Sequence, residues 1–231
     1  MTELAKALER FNRKERNLLV RSVLGHAERP LQLSAPFRHD LASVLNIPTL
    51  SETAWWATDY HMSWMADALA VYLNDKCPLA KARPNPECNG RRLVEGNQED
   101  IDLLIAVGQH LIMVEAKAYG AWSNRQVKSK LQRLDLLLAY YDQIKRPEHA
   151  VDFHLVLMSP QRPQKLTKPL PKRLNQLWPE PELPWLQLKL ETSVCKVTRC
   201  QLNGTPAADG DYWRVLNRNA SSEGQRNDRK S

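Results

Sequence analysis

Glu99-Asp-Ile-Asp-Leu-Leu-Ile-Ala-Val-Gly-Gln-His-Leu-Ile-Met-Val-Glu-Ala-Lys117 is the stretch from which the rest of the chain is read. Two apolar runs, residues 103–107 and 111–114, flank Gly108-Gln109. Glycine at the first loop position suits a type II′ turn, whose twist matches antiparallel strands. With Gly108 and Gln109 as the loop, Val107 faces His110, Ala106 faces Leu111, Leu104 faces Met113 and Asp102 faces Glu115. Side chains directly opposite have Cβ atoms about 5 Å apart, and like charges there repel. Strand residues i and i+2 share a face, so Lys117 lies roughly 6.5 Å beyond Glu115 on the same side. Two carboxylates and an ammonium therefore converge at one end of a hairpin, and a divalent cation would turn the repulsion into binding. The plainer reading is a hairpin edge with solvated charges, but the apolar runs on both strands suit a central position better. Slipping the loop to Val107-Gly108 would instead place Asp100 opposite Glu115.

Composition narrows the classes. At 231 residues and 42% hydrophobic, the chain can bury a core as one domain with additions. No run approaches the roughly 20 apolar residues of a membrane span. The start, Met1-Thr-Glu-Leu-Ala-Lys, lacks a secretory layout. Cys77, Cys88, Cys195 and Cys200 fit reduced thiols, and a cytoplasmic location is expected. Their spacings are looser than usual zinc-ligand pairs. A net charge of +7 favours a polyanionic partner without bearing on fold. There is no phosphate-cradling glycine loop, metalloprotease histidine pair or serine elbow.

Around the hairpin, residues 2–24 read as one helix with a basic face that ends at Gly25. Ser34 caps a short helix through Leu45, with Pro36 in its first turn. Residues 53–73, with Trp55, Trp56, Tyr60, Trp64, Met65 and Leu69, read as a buried helix. Residues 74–98, punctuated by prolines and Asn-Gly, read as loop carrying Arg91 and Arg92. A helix from about Ser123 to Lys145 follows, with Gln126, Lys130 and Arg133 on one side. Ser123-x-x-Gln126 also fits a capping box. Residues 151–158 form a strand, and 161–172 a basic loop or linker. Two late strands span 183–190 and 194–202, then an apolar run begins at Tyr212, and a polar tail without aromatics runs from Asn217.

The hairpin resembles the PD-(D/E)XK nuclease superfamily, whose motif is an acid on one strand and then Asp or Glu, any residue and Lys on the next. Asp102 matches the first acid, Glu115 the second and Lys117 the lysine, while Ile101 stands where the name has proline. The resemblance covers residues 55–160 or so. It implies an α/β fold: a restriction-endonuclease-like core with a central mixed β-sheet flanked by helices and an N-terminal helical extension. Residues 1–50 are then the extension, 51–216 the nuclease-like domain and 217–231 a disordered tail.

The same resemblance implies Mg2+ or Mn2+ held by Asp102, Glu115 and the Ala116 carbonyl, with Lys117 orienting or activating the attacking water. All-oxygen ligands suit these hard ions. Asp59, with His61 close behind, is the expected acid on the preceding helix, and Gln126 the expected residue near the scissile phosphate. Lys130, Arg133, Arg91 and Arg92 are candidate phosphate contacts. The implied activity is divalent-metal-dependent hydrolysis of phosphodiester bonds in nucleic acid, with DNA expected. A non-catalytic nucleic-acid binder retaining the fold is the alternative, and a homodimer is compatible with either. A third reading makes the tryptophans a surface patch for protein interaction.

Overall fold

A computed structural model describes residues 1–74, 92–94, 99–118, 122, 124–163, 172–177, 183–189 and 194–218. Its centre is a five-stranded mixed sheet in the order β1-β2-β3-β4-β5. The strands are β1 (Trp55–His61), β2 (Asp100–Val107), β3 (His110–Ala116), β4 (Asp152–Ser159) and β5 (Trp185–Gln187). The first three pair antiparallel, and β4 and β5 add in parallel. The β2–β3 hairpin takes the expected register, from Val107 opposite His110 to Leu103 opposite Val114. Gly108 has φ +58°, and Gln109 is not in the left-handed region, which matches a type II′ turn. A parallel β3–β4 pair needs a crossover, and α5 (Asn124–Ile144) supplies it.

Helices cover both faces. On one, α1 (Glu3–Glu9), α4 (Met62–Asn74), α5 and α6 (Lys172–Leu177) enclose the larger apolar cluster. Leu131, Leu134, Leu138 and Tyr141 recur at helical spacing along α5 and enter it. On the other face, Leu41 of α3 (Ala35–Leu45) packs with Ile105, Ile112, Val114 and Val156. The cap read from sequence is present: Ser34 Oγ accepts from the Phe37 amide. The residues expected to form an extension are thus part of the layers, since Leu4 and Leu8 lie in the main core. No described helix is long and apolar enough to cross a membrane.

Three expectations are corrected. The single helix over 2–24 is two, α1 and α2 (Glu15–Val23), broken at residues 10–14. The break lets α2 lie along the outer side of β1, where Asn17 Oδ1 accepts the Thr58 amide at 3.1 Å. An otherwise unpaired donor of an edge strand is thereby satisfied. The helix over 53–73 is instead strand β1 running straight into α4. No glycine or proline separates them, so a strand and a helix rich in aromatics read as one apolar segment. The polar tail begins later than Asn217, because β7 (Tyr212–Arg218) runs through that residue. The rest of the tail, Arg91, Ser123, Cys77, Cys88 and most of the 161–172 loop lie outside the described residues.

One irregularity in β1 bears on the site. Thr58 pairs with Leu103 and Tyr60 with Ile101, but the rung between them, Asp59 and Asp102, is skipped. Asp59 has φ +52°. Strand alternation breaks there on both sides: Ala57 and Tyr60 enter the same cluster, as do Leu104 and Ile101. Aspartate tolerates the left-handed region better than bulkier residues do. Arg16 approaches Asp59 at 3.7 Å but is largely exposed, so this ion pair contributes little. Asp59→Val is expected to lower unfolding free energy by about 1–2 kcal/mol through backbone strain. Asp59→Gly, which loses the same ion pair, should lose much less. Equal losses in urea denaturation would show that the backbone conformation is not what selects aspartate.

Candidate active site

A cleft of about 460 Å³ opens between the sheet and α5, and Glu99, Asp102, Glu115, Lys117, Trp122 and Lys130 contribute to its lining. Leu131 and Leu134 of α5 and Leu155 and Leu157 of β4 form its apolar walls. Glu115 reaches the cleft because β3 alternates regularly. Leu111 and Met113 join the main core, Ile112 and Val114 the opposite one, and Glu115 continues the first series. Asp102 arrives differently. Its rung is skipped by β1, and the β2–β3 ladder also stops one step short of it, at Leu103 and Val114. The carboxylate takes the place of the ladder: Asp102 Oδ2 accepts the Ala116 amide at 2.7 Å. The expected facing of Asp102 and Glu115 is therefore replaced by a side-chain bond one residue further on, with both acids in the same cleft.

Lys117 is fixed from two sides. Its amide donates to Met158 O at 2.8 Å, which extends the β3–β4 pairing past the strand end. Its Nζ lies 5.8 Å from the centre of the Trp122 ring, within cation–π range. Trp122 is itself held by a hydrogen bond from Nε1 to Ser159 Oγ, 3.1 Å, at the end of β4. Neither Trp122 nor Ser159 stood out in the sequence, because their role depends on the β3–β4 neighbour relation.

Glu115 is 6% exposed. Burial pushes its carboxyl up to about 7. Lys130 counteracts that shift, while the charges of Asp102 and Glu99 add to it. Lys130 Nζ is paired with Glu115 Oε2. Among the described residues, Glu115 Oε1 is buried with no hydrogen-bond partner, and so is Glu99 Oε2. A buried carboxylate oxygen left in this state incurs a substantial desolvation cost. Among the described residues, no three His, Cys, Asp or Glu side chains form a ready metal cage. A cation in this cleft would rely on two carboxylates supplemented by backbone oxygen or water. The open Glu115 oxygen and the all-oxygen donor set fit a hard divalent ion.

The other candidates are distributed as follows. Asp59 and His61 sit on β1 rather than on a helix, and neither lines the cleft. Asp59 faces Arg16, while His61 Nδ1 lies 2.8 Å from Asp100 Oδ1. Lys130 belongs to the cleft instead of an outer phosphate-binding face. Arg133 is 8% exposed and donates to Leu93 O, so it offers little to a polyanion. Arg92 is exposed. Gln126 falls within α5, but its side chain, like Arg91, lies outside the described residues. Of the tryptophans named as a surface patch, Trp55 is buried in the main core and Trp56 packs against the second cluster. The chain matches no protein-family model and no curated protein sequence.

The raised carboxyl pKa of Glu115 has a stability consequence. The folded state holds that proton more tightly than the unfolded chain, where the value is near 4.5. Ionisation therefore removes stability as pH rises from about 4.5 through about 7, and the loss is constant above that. Without divalent metal, Glu115→Gln is expected to match the wild type near the lower pH and exceed it at pH 8.5, by on the order of 2–3 kcal/mol. Urea denaturation across pH measures this, and a difference that does not vary with pH would contradict it.

Proposed function

We propose that the chain is a divalent-metal-dependent nuclease of the PD-(D/E)XK type, acting on nucleic acid and in the first instance on DNA. The observation that carries the reading is the meeting of Asp102, Glu115 and Lys117 in one cleft, with a Glu115 oxygen buried and unpartnered. The order of elements supports it as well. An antiparallel β1–β2–β3 meander, a helix and a parallel β4 are what a restriction-endonuclease-like core requires. The formal charge of +7 suits a phosphate polymer.

In this scheme Asp102, Glu115 and the Ala116 carbonyl would hold Mg2+ or Mn2+. When bound, the ion supplies a more acidic water and neutralises charge on the scissile phosphate. Asp102 also fixes the end of β3 through the Ala116 amide, so one carboxylate both orders the backbone and faces the cleft. Lys117, steadied over Trp122, directs its ammonium toward the reacting phosphate and stabilises the charge that develops there. Lys130 would orient Glu115 and partly offset the burial that disfavours its charge.

The Glu115–Lys130 pair also favours a second reading. A cation supplied by the protein already balances this acid, as a binder without catalysis would need. Incubating plasmid with the protein in Mg2+ or Mn2+, and separately in EDTA, distinguishes the two. Cleavage is expected only with metal. Lys117→Ala should lower its rate by about 10²–10³, the scale of losing one transition-state charge contact. Glu115→Gln should abolish it, with folded structure retained by circular dichroism. Undiminished metal-dependent cleavage by both variants would discard the scheme, and no cleavage by a wild type that binds duplex would favour the binder.

A further inference from the structure

The cleft makes no use of β6 (Val194–Cys200) and β7, which form a separate antiparallel ribbon. They pair along their whole length, from Val194 opposite Arg218 to Cys200 opposite Tyr212. Among the described residues, no other helix or strand packs substantially on either. The connection is nevertheless a built structure. Cys200 is buried, and the chain at Gly210 passes so close that a Cβ there would lie 2.3 Å from the Cys200 carbonyl oxygen. Ala207 N donates to Arg199 O, and Arg199 Nη1 to Ala208 O, tying the loop back to β6.

The register gives the ribbon a distinctive face. Val197 stands opposite Val215, and Arg199 opposite Trp213. Val197, Trp213 and Val215 are 65%, 68% and 55% exposed. A two-stranded hairpin is marginal alone in water, and a contiguous apolar patch left open on one marks a contact surface. Charge indicates the partner. Lys196, Arg199, Arg214 and Arg218 lie on the two strands, and neither strand carries an acid. Asp209 and Asp211 are confined to the connecting loop. Lys196 and Arg214 share the face opposite Trp213, while Arg199 lies beside the apolar strip, so the ribbon presents exposed cations on both of its faces. The major groove of a duplex, about 12 Å wide between two phosphate walls, admits a two-stranded ribbon.

We propose that the β6–β7 ribbon docks on duplex nucleic acid, with Lys196, Arg199 and Arg214 neutralising phosphates and Trp213 packing on sugar and base edges. The identity of the polymer rests on the nuclease reading; the ribbon's exposure, charge and apolar strip do not. The test measures fluorescence anisotropy of a labelled DNA duplex with the full chain, in EDTA so that nothing is cleaved, over a range of KCl. Trp213→Ser is compared with the double variant Lys196→Ala, Arg214→Ala, whose side chains are exposed. The double variant should bind about tenfold or more weakly, and its plot of log affinity against log salt should flatten by about two units, one per lost phosphate contact. Trp213→Ser should weaken binding with the salt slope unchanged.

Wild-type affinity and slope in both variants would overturn the proposal, as would a wild type that does not bind duplex at low salt. Sedimentation of the same samples tests a second copy as the occupant. A wild-type dimer that Trp213→Ser dissociates, with duplex affinity unchanged, would assign the face to self-association and overturn the proposal. The two readings fail separately. Duplex binding that depends on the ribbon, without cleavage in Mg2+, removes the nuclease and leaves the ribbon. Cleavage together with unaffected variant binding removes the ribbon alone.

Discussion

The burial of Glu115 at the end of a central strand is the constraint on which the site depends. β3 has a neighbour on each side and helices over both faces, so a side chain near its end has little water to face. A carboxylate there must be matched by cations or lose its charge. Among the described residues, Lys130 of the crossover helix pairs with one carboxylate oxygen and the other has no hydrogen-bond partner. Compensation that satisfies only half of a buried acid is costly in a purely structural site. It is reasonable chemistry where an external cation completes the set.

The irregular features of the sheet serve the same end. At Asp102, β2 skips one rung with β1 and its ladder with β3 comes to an end. The Asp102 carboxylate is left to bond the Ala116 amide directly. Regular pleating alone would turn Asp102 toward the same side as Glu115; the left-handed aspartate and the two lost ladder steps instead free the Asp102 carboxylate to tie down the end of β3, with both acids lining the cleft. Strain of this kind persists where the surrounding structure over-determines it. Here Tyr60, whose hydroxyl donates to Leu8 O, and Asn17 at the β1 edge hold the distorted strand on both sides.

The sequence was most legible where period and punctuation agreed. Gly108-Gln109 between two apolar runs fixed the hairpin and its register, and the regular stripe of α5 and the short run of β4 emerged intact. Ser34 announced α3. It was least legible where one element ran into the next without a breaker. Trp55, Tyr60 and Trp64 span a strand–helix junction, and the phase shift at Asp59 gives the strand a helix-like spacing of core residues. The grouping of Asp102, Glu115 and Lys117 could be read because the hairpin register and the i, i+2 alternation of a strand place them together. Trp122 and Ser159 could not, and Lys130 was read as a phosphate contact rather than as the partner of Glu115, since these pairings join elements far apart in the chain.

The proposed site needs Asp102 and Glu115 to grip one divalent ion together. Calorimetric titration of the metal-free protein with Mn2+ tests it most directly, without reference to any substrate. Saturable binding of a single ion per wild-type chain is expected, lost or greatly weakened in both Asp102→Asn and Glu115→Gln. Binding of the same stoichiometry and strength in either variant would contradict it.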